Sequence, residues 1–456
     1  MLPQRTSILI VGAGPAGMAL AISLFKQGCK DFVIVDGAEE GLLASRAMVI
    51  HAATLEALDT IGCAEPLVQI GIKGQGLKIR NATSTLLSID FKTLESDTQY
   101  PYVLCIPQTV TENVLRTELG KLGVQILRPY KVTGMARNKS EGNAIDVSFD
   151  TGDIIQAKYI IGADGSRSAV RKLSGISFRD PETKDGVDGP SGDEMVLADV
   201  TFSSTPTEPS PMEGVNVFLT DRGSAILIPL PELHEDIYAR TPPALDHDND
   251  TPSSPPQVWR LACTLTCAIE APPPNPPIEY LQRAINMFGP ANLSSDTSIN
   301  PNPVKIATCL WSSKFKIRSA IADQAFKRFE SGSGGAGVDS SAGGVVFLVG
   351  DAAHIHSPAG GQGMNLGLRD AIGLAPVLVA HLQASGGDLG LQEYADARHA
   401  RALEIIALTK RMNKIQGVMS TPILGWGAAG VMKVVSHVPA ITRNAAWGLS
   451  GLAERR

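Results

Sequence analysis

Three stretches of the sequence carry residue types at spacings that can do chemistry. Gly12, Gly14 and Gly17 form GxGxxG between an apolar run, SILIV, and the segment PAGMALAISLFKQG. Between a strand and a helix, the first glycine allows the tight turn. The second lets a diphosphate approach the backbone, and the third lets helix and strand pack closely. Phosphate charge then sits at the helix N-terminus, where free N–H groups and the helix dipole favour it. Asp36 ends the next apolar run, DFVIVD, 19 residues after Gly17. An acid at that point can accept hydrogen bonds from a ribose diol. The second stretch is IIGADGSRSAVRKLSG at 160–175, in which Asp164 and Gly165 stand at the end of an apolar run. Taken alone it reads equally well as a plain Asp-Gly turn before a helix. The third is VFLVGDAAHIHSPAGGQGMNLGLRDA at 346–371. Its apolar run delivers Gly350 and Asp351 to a strand's C-terminal end, where open α/β sheets bind ligands. A glycine-rich loop from Pro358 then opens a long helix. Its glycines allow a flat ligand close to backbone N–H groups, and the helix start can stabilise an anion.

The elements that must position these residues follow from the local patterns. SILIV, the helix to Gly28 and DFVIVD make a βαβ unit, which implies a parallel α/β sheet. Helices are expected at about 52–62, 109–122, 363–384 and 390–416, and strands between 130 and 161. From about 175 to 310 strand-like pieces (MVLADVTF, GVNVFLT, SAILIPL, VWRLACTLT) alternate with proline-rich loops. That texture predicts a mostly antiparallel β-sheet domain inserted into the α/β domain. The expected organisation is a Rossmann-like dinucleotide-binding domain in two parts, 1–175 and 331–385, an inserted sheet domain at 176–330 and a helical C-terminal region at 386–456. Residues 331–344 (SGSGGAGVDSSAGG) read as a flexible loop. The tail 421–453 is helical and apolar but broken by Lys433, His437 and Pro439, and neither half reaches the roughly 20 residues a bilayer span requires. Packing on the Rossmann-like domain is the expectation for this tail. Peripheral membrane contact through Trp426, Trp447, Lys433 and Arg443 is its alternative.

Composition sets outer bounds. The chain has 456 residues, a formal charge of −6 and 43% hydrophobic residues. This is enough for roughly two or three domains and excludes wholesale disorder. The mild acidic balance without a basic tract argues against nucleic acid as a partner. The six cysteines form no CxxC pair, so neither a structural zinc site nor a disulfide scaffold is indicated. The N-terminus runs straight into the glycine motif instead of a cleavage site. A cytoplasmic protein, monomer or homodimer, is expected.

In their order and spacing, GAGPAG, GADGSRSAVRK and GDAAHIHSPAGGQGMNLGLRDA resemble the class A flavoprotein monooxygenases, the single-component FAD aromatic hydroxylases of the p-hydroxybenzoate hydroxylase and phenol hydroxylase type. The resemblance covers nearly the whole chain. It implies noncovalent FAD and, as co-substrates, NADPH or NADH and O2. It also implies a C4a-hydroperoxide that hydroxylates a small phenolic or polyketide-type aromatic. Epoxidation and dearomatising oxygenation use the same chemistry and stay open as alternatives; a non-catalytic flavin-binding protein is the alternative from another class. By resemblance, Gly12, Gly14, Ala16, Gly17 and Asp36 belong to the AMP half of the FAD site, with Asp36 on the ribose. Arg46 is expected near the flavin and Gln108 on the FAD linker. Asp164 and Gly165 are assigned to FAD and NAD(P)H binding, and Gly350 and Asp351 to the ribityl chain. Pro358, Gly360, Gly361, Gly363, Met364 and Asn365 would embrace the isoalloxazine ring, with Pro358, Gly361 and Asn365 closest to the chemistry. Ala53 departs from the pattern, because many relatives of the phenol hydroxylase branch carry arginine there.

His354 and His356 stand in the ring-embracing stretch. A hydrogen-bonded structural role is favoured for them over a place beside the substrate, and His51 is open in the same way. Tyr238, Arg222 and His234 fall in the inserted domain, where substrate contacts are expected, but no motif selects among them. A flavin-dependent halogenase would show a WxWxIP pattern and a disulfide reductase a redox cysteine pair; the sequence has neither.

Overall fold

The computed structural model describes residues 2–41, 47–81, 84–183, 194–204, 206, 209–220, 223–232, 256–265, 270–329, 343–384, 387–419 and 422–455. Arg46, Arg222, His234, Tyr238 and most of the 331–344 segment lie outside the described residues.

The first strand, Arg5–Val11, buries Ile8, Leu9 and Ile10 completely. A run apolar on both faces belongs inside a parallel sheet. Helix Pro15–Lys26 follows, with proline in its first turn and Gly28 at φ +85 just past its end. These are the residues that helix starts and stops favour. In the central sheet the strands run in the order Phe326–Arg328, Val345–Leu348, Ile154–Gly162, Arg5–Val11, Phe32–Val35 and Ile126–Leu127. The pairings from Val345–Leu348 to Ile126–Leu127 are all parallel. A hairpin, Val132–Arg137 with Ile145–Phe149, pairs with the first half of Ile154–Gly162.

Register is what assembles the site. Val11 pairs with both Val35 and Gly162, and Gly162 pairs with Leu348. These four parallel strands therefore end at one level. The residues that follow them, Gly12, Asp36, Asp164 and Gly350–Asp351, emerge side by side on one edge.

The second sheet has seven strands, in the order Ile306–Lys316, Glu194–Phe202, Trp259–Leu265, Gly223–Pro229, Gly214–Thr220, Gly76–Arg80 and Thr85–Asp90. It is antiparallel apart from the parallel pairing of Gly214–Thr220 with Gly76–Arg80. It is thus not confined to 176–330, since two of its strands come from the 1–175 segment. One face packs on helix Ile278–Phe288 through Phe218, Leu227, Trp259 and Leu261. The other, with Met195, Leu197, Ile228 and Ala262, looks toward Val49 and the C-terminal helices.

The helices expected from periodicity form as Ala52–Thr60, Gln108–Lys121, Gly363–Gln383 and Leu389–Met419. The tail forms helices Pro422–Ser436 and Pro439–Leu449, Pro439 starting the second as a first-turn proline. Both lie against Thr85–Asp90, the edge strand of the second sheet, and the tail packs there more than on the FAD-type sheet. Arg443 pairs with Asp97 at 2.7 Å, and Ser88 N–H donates to Ser436 Oγ at 3.2 Å. An edge strand covered in this way cannot recruit another chain. Among the described residues no helix is long and apolar enough to cross a membrane.

Candidate cofactor and active site

The glycines of the first motif divide by what surrounds them. Gly12 stands at φ +107, and a Cβ there would lie 2.3 Å from Ala163 O. A Cβ on Gly17 would lie 1.9 Å from Gly12 O. Both are demanded by the fold itself, as turn and helix–strand contact. Gly14 caps the helix at an ordinary φ of −76, and a Cβ there would meet no protein atom within 4 Å. The side of the loop that Gly14 leaves open is where a diphosphate would sit against the helix start.

Asp36 does more than wait for a ribose. Its Oδ2 accepts from Ala13 N–H at 2.7 Å and its Oδ1 from Ala38 N–H at 2.8 Å, with Arg128 3.1 Å away. The carboxylate therefore buttresses the glycine loop. Gln108 starts helix Gln108–Lys121, accepts from Ala47 N–H at 3.2 Å and donates to Glu112 at 2.8 Å. Burial pushes the Glu112 carboxyl above its ordinary range, although the Gln108 hydrogen bond and the nearby Arg116 and Arg128 oppose this.

Asp164 Oδ2 accepts from Ala169 N–H at 2.7 Å and Val170 N–H at 3.2 Å, so it holds the start of helix Ala169–Leu173. Its Oδ1 is buried with no hydrogen-bond partner. Burial raises the carboxyl above its ordinary range, against hydrogen bonds from Ser168 and the helix start. Gly165 takes φ +77 in the turn. Gly350 takes φ +57, and a Cβ there would lie 3.3 Å from Ala16 Cβ, so Ala16 marks tight packing of the first helix on this turn. Asp351 is exposed, because the chain leaves the strand in a one-turn 3-10 helix.

The loop from Pro358 to the start of helix Gly363–Gln383 holds two left-handed residues, Gly360 at φ +79 and Gly361 at φ +63. Asn365 is fully buried and clamps it. Asn365 Oδ1 accepts from His51 N–H at 2.8 Å, while its Nδ2 donates to Val49 O at 2.9 Å and Gly361 O at 2.7 Å. The Asn365 side chain is thus spent on positioning the loop. A Cβ on Gly361 would point at Val49 Cγ2, 2.4 Å away, whereas one on Gly363 would meet nothing closer than His356 Cε1 at 4.0 Å. Gly363, Met364 and Asn365 occupy the first turn of their helix, where N–H groups have no partner within the helix. Met364 packs on the main core.

His51, His354 and His356 each make a hydrogen bond within the protein. His51 Nε2 lies 2.8 Å from Gly360 O; a carbonyl only accepts, so this nitrogen carries the proton. Burial lowers the His51 pKa to about 4. His356 Nδ1 donates to Ser357 O at 2.8 Å, and burial lowers its pKa to about 4 as well. His354 Nε2 meets Asp370 Oδ2 at 2.6 Å in a buried pair.

One feature of the second sheet escaped sequence reasoning. Asp199 and Arg260 are register partners on adjacent strands, almost completely buried, and form a two-pronged pair at 2.6 Å for each prong. Arg260 also donates to Ala47 O at 3.2 Å, tying this sheet to the segment that leads into Val49–Ile50. The signal was present: each is a lone charge in an otherwise apolar strand, and two such neighbours imply a buried pair.

An FAD-sized dinucleotide fits these residues. Gly14, Asp164 and Asp351 follow the level ends of three parallel strands, and they supply an open helix start, a partnerless buried Oδ1 and an exposed carboxylate, while the Gly363 turn adds first-turn N–H groups. Comparison with known proteins agrees. Residues 5–274 and 334–409 match the family described as FAD binding domain. The chain is 28% identical over 460 residues to a 12-dehydrotetracycline 5-monooxygenase/anhydrotetracycline 6-monooxygenase of Streptomyces rimosus, covering 99% of this chain and 77% of that protein. It is 29% identical to an uncharacterized aromatic compound monooxygenase, YhjG, of Bacillus subtilis, covering 90% and 69%. Its fold matches the crystal structure of p-nitrophenol 4-monooxygenase PnpA from Pseudomonas putida with a TM-score of 0.75 at 21% identity, each chain covered completely.

Proposed function

The chain belongs to the FAD-dependent class A flavoprotein monooxygenases and is an FAD-dependent oxidoreductase; from that premise we propose that it uses NAD(P)H and O2 to hydroxylate a phenolic aromatic small molecule. The observation that carries this reading is the presence, at one edge of the parallel sheet, of a helix start left open at Gly14 and a helix start at Gly363 whose loop is held by Asn365. FAD, when bound, supplies the hydride-accepting and oxygen-activating chemistry.

The residues of this chain bind, orient and exclude water. Gly14 and the N–H groups behind it receive the diphosphate, Asp36 the ribose, and Asp351 the ribityl hydroxyls. Asp164 Oδ1 offers an acceptor beside the same groove, open to FAD or to the nicotinamide co-substrate. The first-turn N–H groups of Gly363, Met364 and Asn365 are aimed to stabilise negative charge at the edge of the reduced ring. Asn365 and His51 keep those donors in place, and Pro358 and Gly361 shape the turn. A flat, multi-ring substrate of the polyketide kind is the finer class we propose, on the likeness to the Streptomyces relative. The tetracycline named for the Streptomyces relative is of that shape.

The test is NAD(P)H oxidation by the FAD-loaded protein across a panel of phenols and polycyclic phenols, with product masses. The expected result is oxidation stimulated by at least one phenol, and a product heavier by one oxygen atom. A protein that takes up no FAD, or whose NAD(P)H oxidation no aromatic stimulates, overturns the reading.

A further inference from the structure

Beyond helix Pro439–Leu449 the chain accepts hydrogen bonds on three successive carbonyls, one from the ring-embracing loop, one from the start of helix Ala52–Thr60 and one from within helix Gly363–Gln383. Leu449 O accepts from Gln362 Nε2 at 2.9 Å, Ser450 O from Ala53 N–H at 3.1 Å, and Gly451 O from Arg369 Nη1 at 3.4 Å. Gly451 takes φ +78, and a Cβ there would lie 2.7 Å from Arg369 Nη1 and 3.2 Å from Ala53 Cβ. Only glycine lets the segment lie this close. A 3-10 turn, Leu452–Arg455, follows and carries Glu454. The Glu454 carboxylate pairs with Arg369, and with Arg398 and Arg401 at 2.9 Å each. Arg369 in turn donates from Nε to Asn365 O at 3.2 Å. A continuous path therefore runs from Glu454 through Arg369 to Asn365, the residue that clamps Gly361 and Val49. The Arg369 guanidinium also lies beside Ala53, so a cation reaches this place from the facing helix although position 53 supplies none.

We propose that Leu449–Arg455 is a strap that positions the 358–365 loop, with Glu454 as a positioning residue acting through Arg369. The proposal rests on the reading that this loop faces the flavin. It adds that the yield of oxygen transfer is set partly from the strap. A loosened strap leaves the fold standing but lets the donors at Gly363–Asn365 drift from the ring edge. Reducing equivalents then escape as hydrogen peroxide.

The experiment compares the full chain with Glu454→Gln, Glu454→Asp and Gly451→Ala. Glu404→Gln is the control, since Glu404 is exposed and pairs with Arg401 at 2.8 Å. Hydrogen–deuterium exchange is followed in residues 359–366 and 53–55, with and without FAD, and the ratio of hydrogen peroxide to hydroxylated product is measured in the FAD-loaded proteins. Glu454→Gln and Gly451→Ala should raise exchange in 359–366 about tenfold, the factor that follows from losing one charge-assisted hydrogen bond. They should also raise the peroxide ratio. Glu454→Asp should restore part of both, and Glu404→Gln should change neither. Exchange that rises only within 449–455, or a lowered melting temperature with loop exchange and peroxide ratio unchanged, overturns the proposal. If Glu454→Gln does not fold, the Gly451→Ala and Glu454→Asp results decide. The exchange readout stands without any cofactor, so it distinguishes failure of the strap from failure of the proposed activity.

Discussion

Replacing Gly14 should separate cofactor binding from folding, because the protein's own atoms leave that position open. The residue adopts φ −76, which any amino acid tolerates, and a Cβ would meet nothing within 4 Å. Gly14→Ala gives up the preference for glycine at a helix N-cap, about 0.5–1 kcal/mol, and recovers a similar amount by restricting the unfolded chain. The FAD-free protein should therefore keep its melting temperature to within about 3 °C. Gly14→Val should do nearly the same. Bound FAD is another matter, since the added methyl groups stand where the diphosphate meets the helix start. Losing even one charge-assisted hydrogen bond there costs about 1.5–3 kcal/mol, or roughly 10- to 150-fold in affinity. Gly17→Ala is the counterpart: its Cβ would sit 1.9 Å from Gly12 O, so the fold itself should fail. The assays are thermal unfolding of the FAD-free proteins and titration of FAD by quenching of its fluorescence. A Gly14→Val protein that binds FAD as tightly as wild type would refute the reasoning. So would one that unfolds like Gly17→Ala.

Gly361→Val should bind FAD but lose hydroxylation by about 100- to 1000-fold, the range for a displaced preorganised donor. The cause is collision with Val49 Cγ2 at 2.4 Å plus a left-handed φ of +63, and stopped-flow reoxidation measures it; normal product yield would contradict it. Asp164→Ala should slow flavin reduction by NAD(P)H more than it lowers FAD retention, and equal effects on both would reverse the assignment of its Oδ1. Asp351→Ala should weaken FAD far more than it lowers the melting temperature of the FAD-free protein, because the side chain is exposed until the cofactor covers it; thermal unfolding beside FAD titration measures both. Stability should fall as pH drops from 6.5 to about 4, because the unfolded chain protonates His51 and His356 in that window while the folded chain keeps both neutral. Each contributes about 3 kcal/mol over the window. Denaturant midpoints against pH measure this, and His51→Asn should remove roughly half of the slope.

The motifs and their convergence were legible because parallel strands that run into glycine turns end at one level. SILIV, DFVIVD and VVFLVGD each announce a buried strand with its chemistry just past the end. The helices at Ala52, Gln108, Gly363 and Leu389 were equally plain from their apolar periodicity. Pairing partners far apart in sequence were not. Nothing in GLKIR or TLLSID tells that these strands join a sheet built mostly of residues beyond 194, since a period of two marks a face and not a neighbour. The exposure of Asp351 depends on a single 3-10 turn after its strand, which strand patterning cannot foresee. The glycines of the third motif look interchangeable in sequence. Only the fold distinguishes Gly361, which faces Val49, from Gly363, which faces open space. The strap is invisible for the same reason, because Glu454 and Arg369 stand 85 residues apart.

The most direct measurement is oxygen labelling. The FAD-loaded protein, NAD(P)H and a phenol that stimulates its oxidation are incubated under 18O2, and the product is weighed. One labelled oxygen atom in the product, and none when the label is supplied as water, is the predicted result. A product whose new oxygen comes from water, or NAD(P)H oxidation that ends wholly in labelled hydrogen peroxide with the phenol unchanged, would contradict the account.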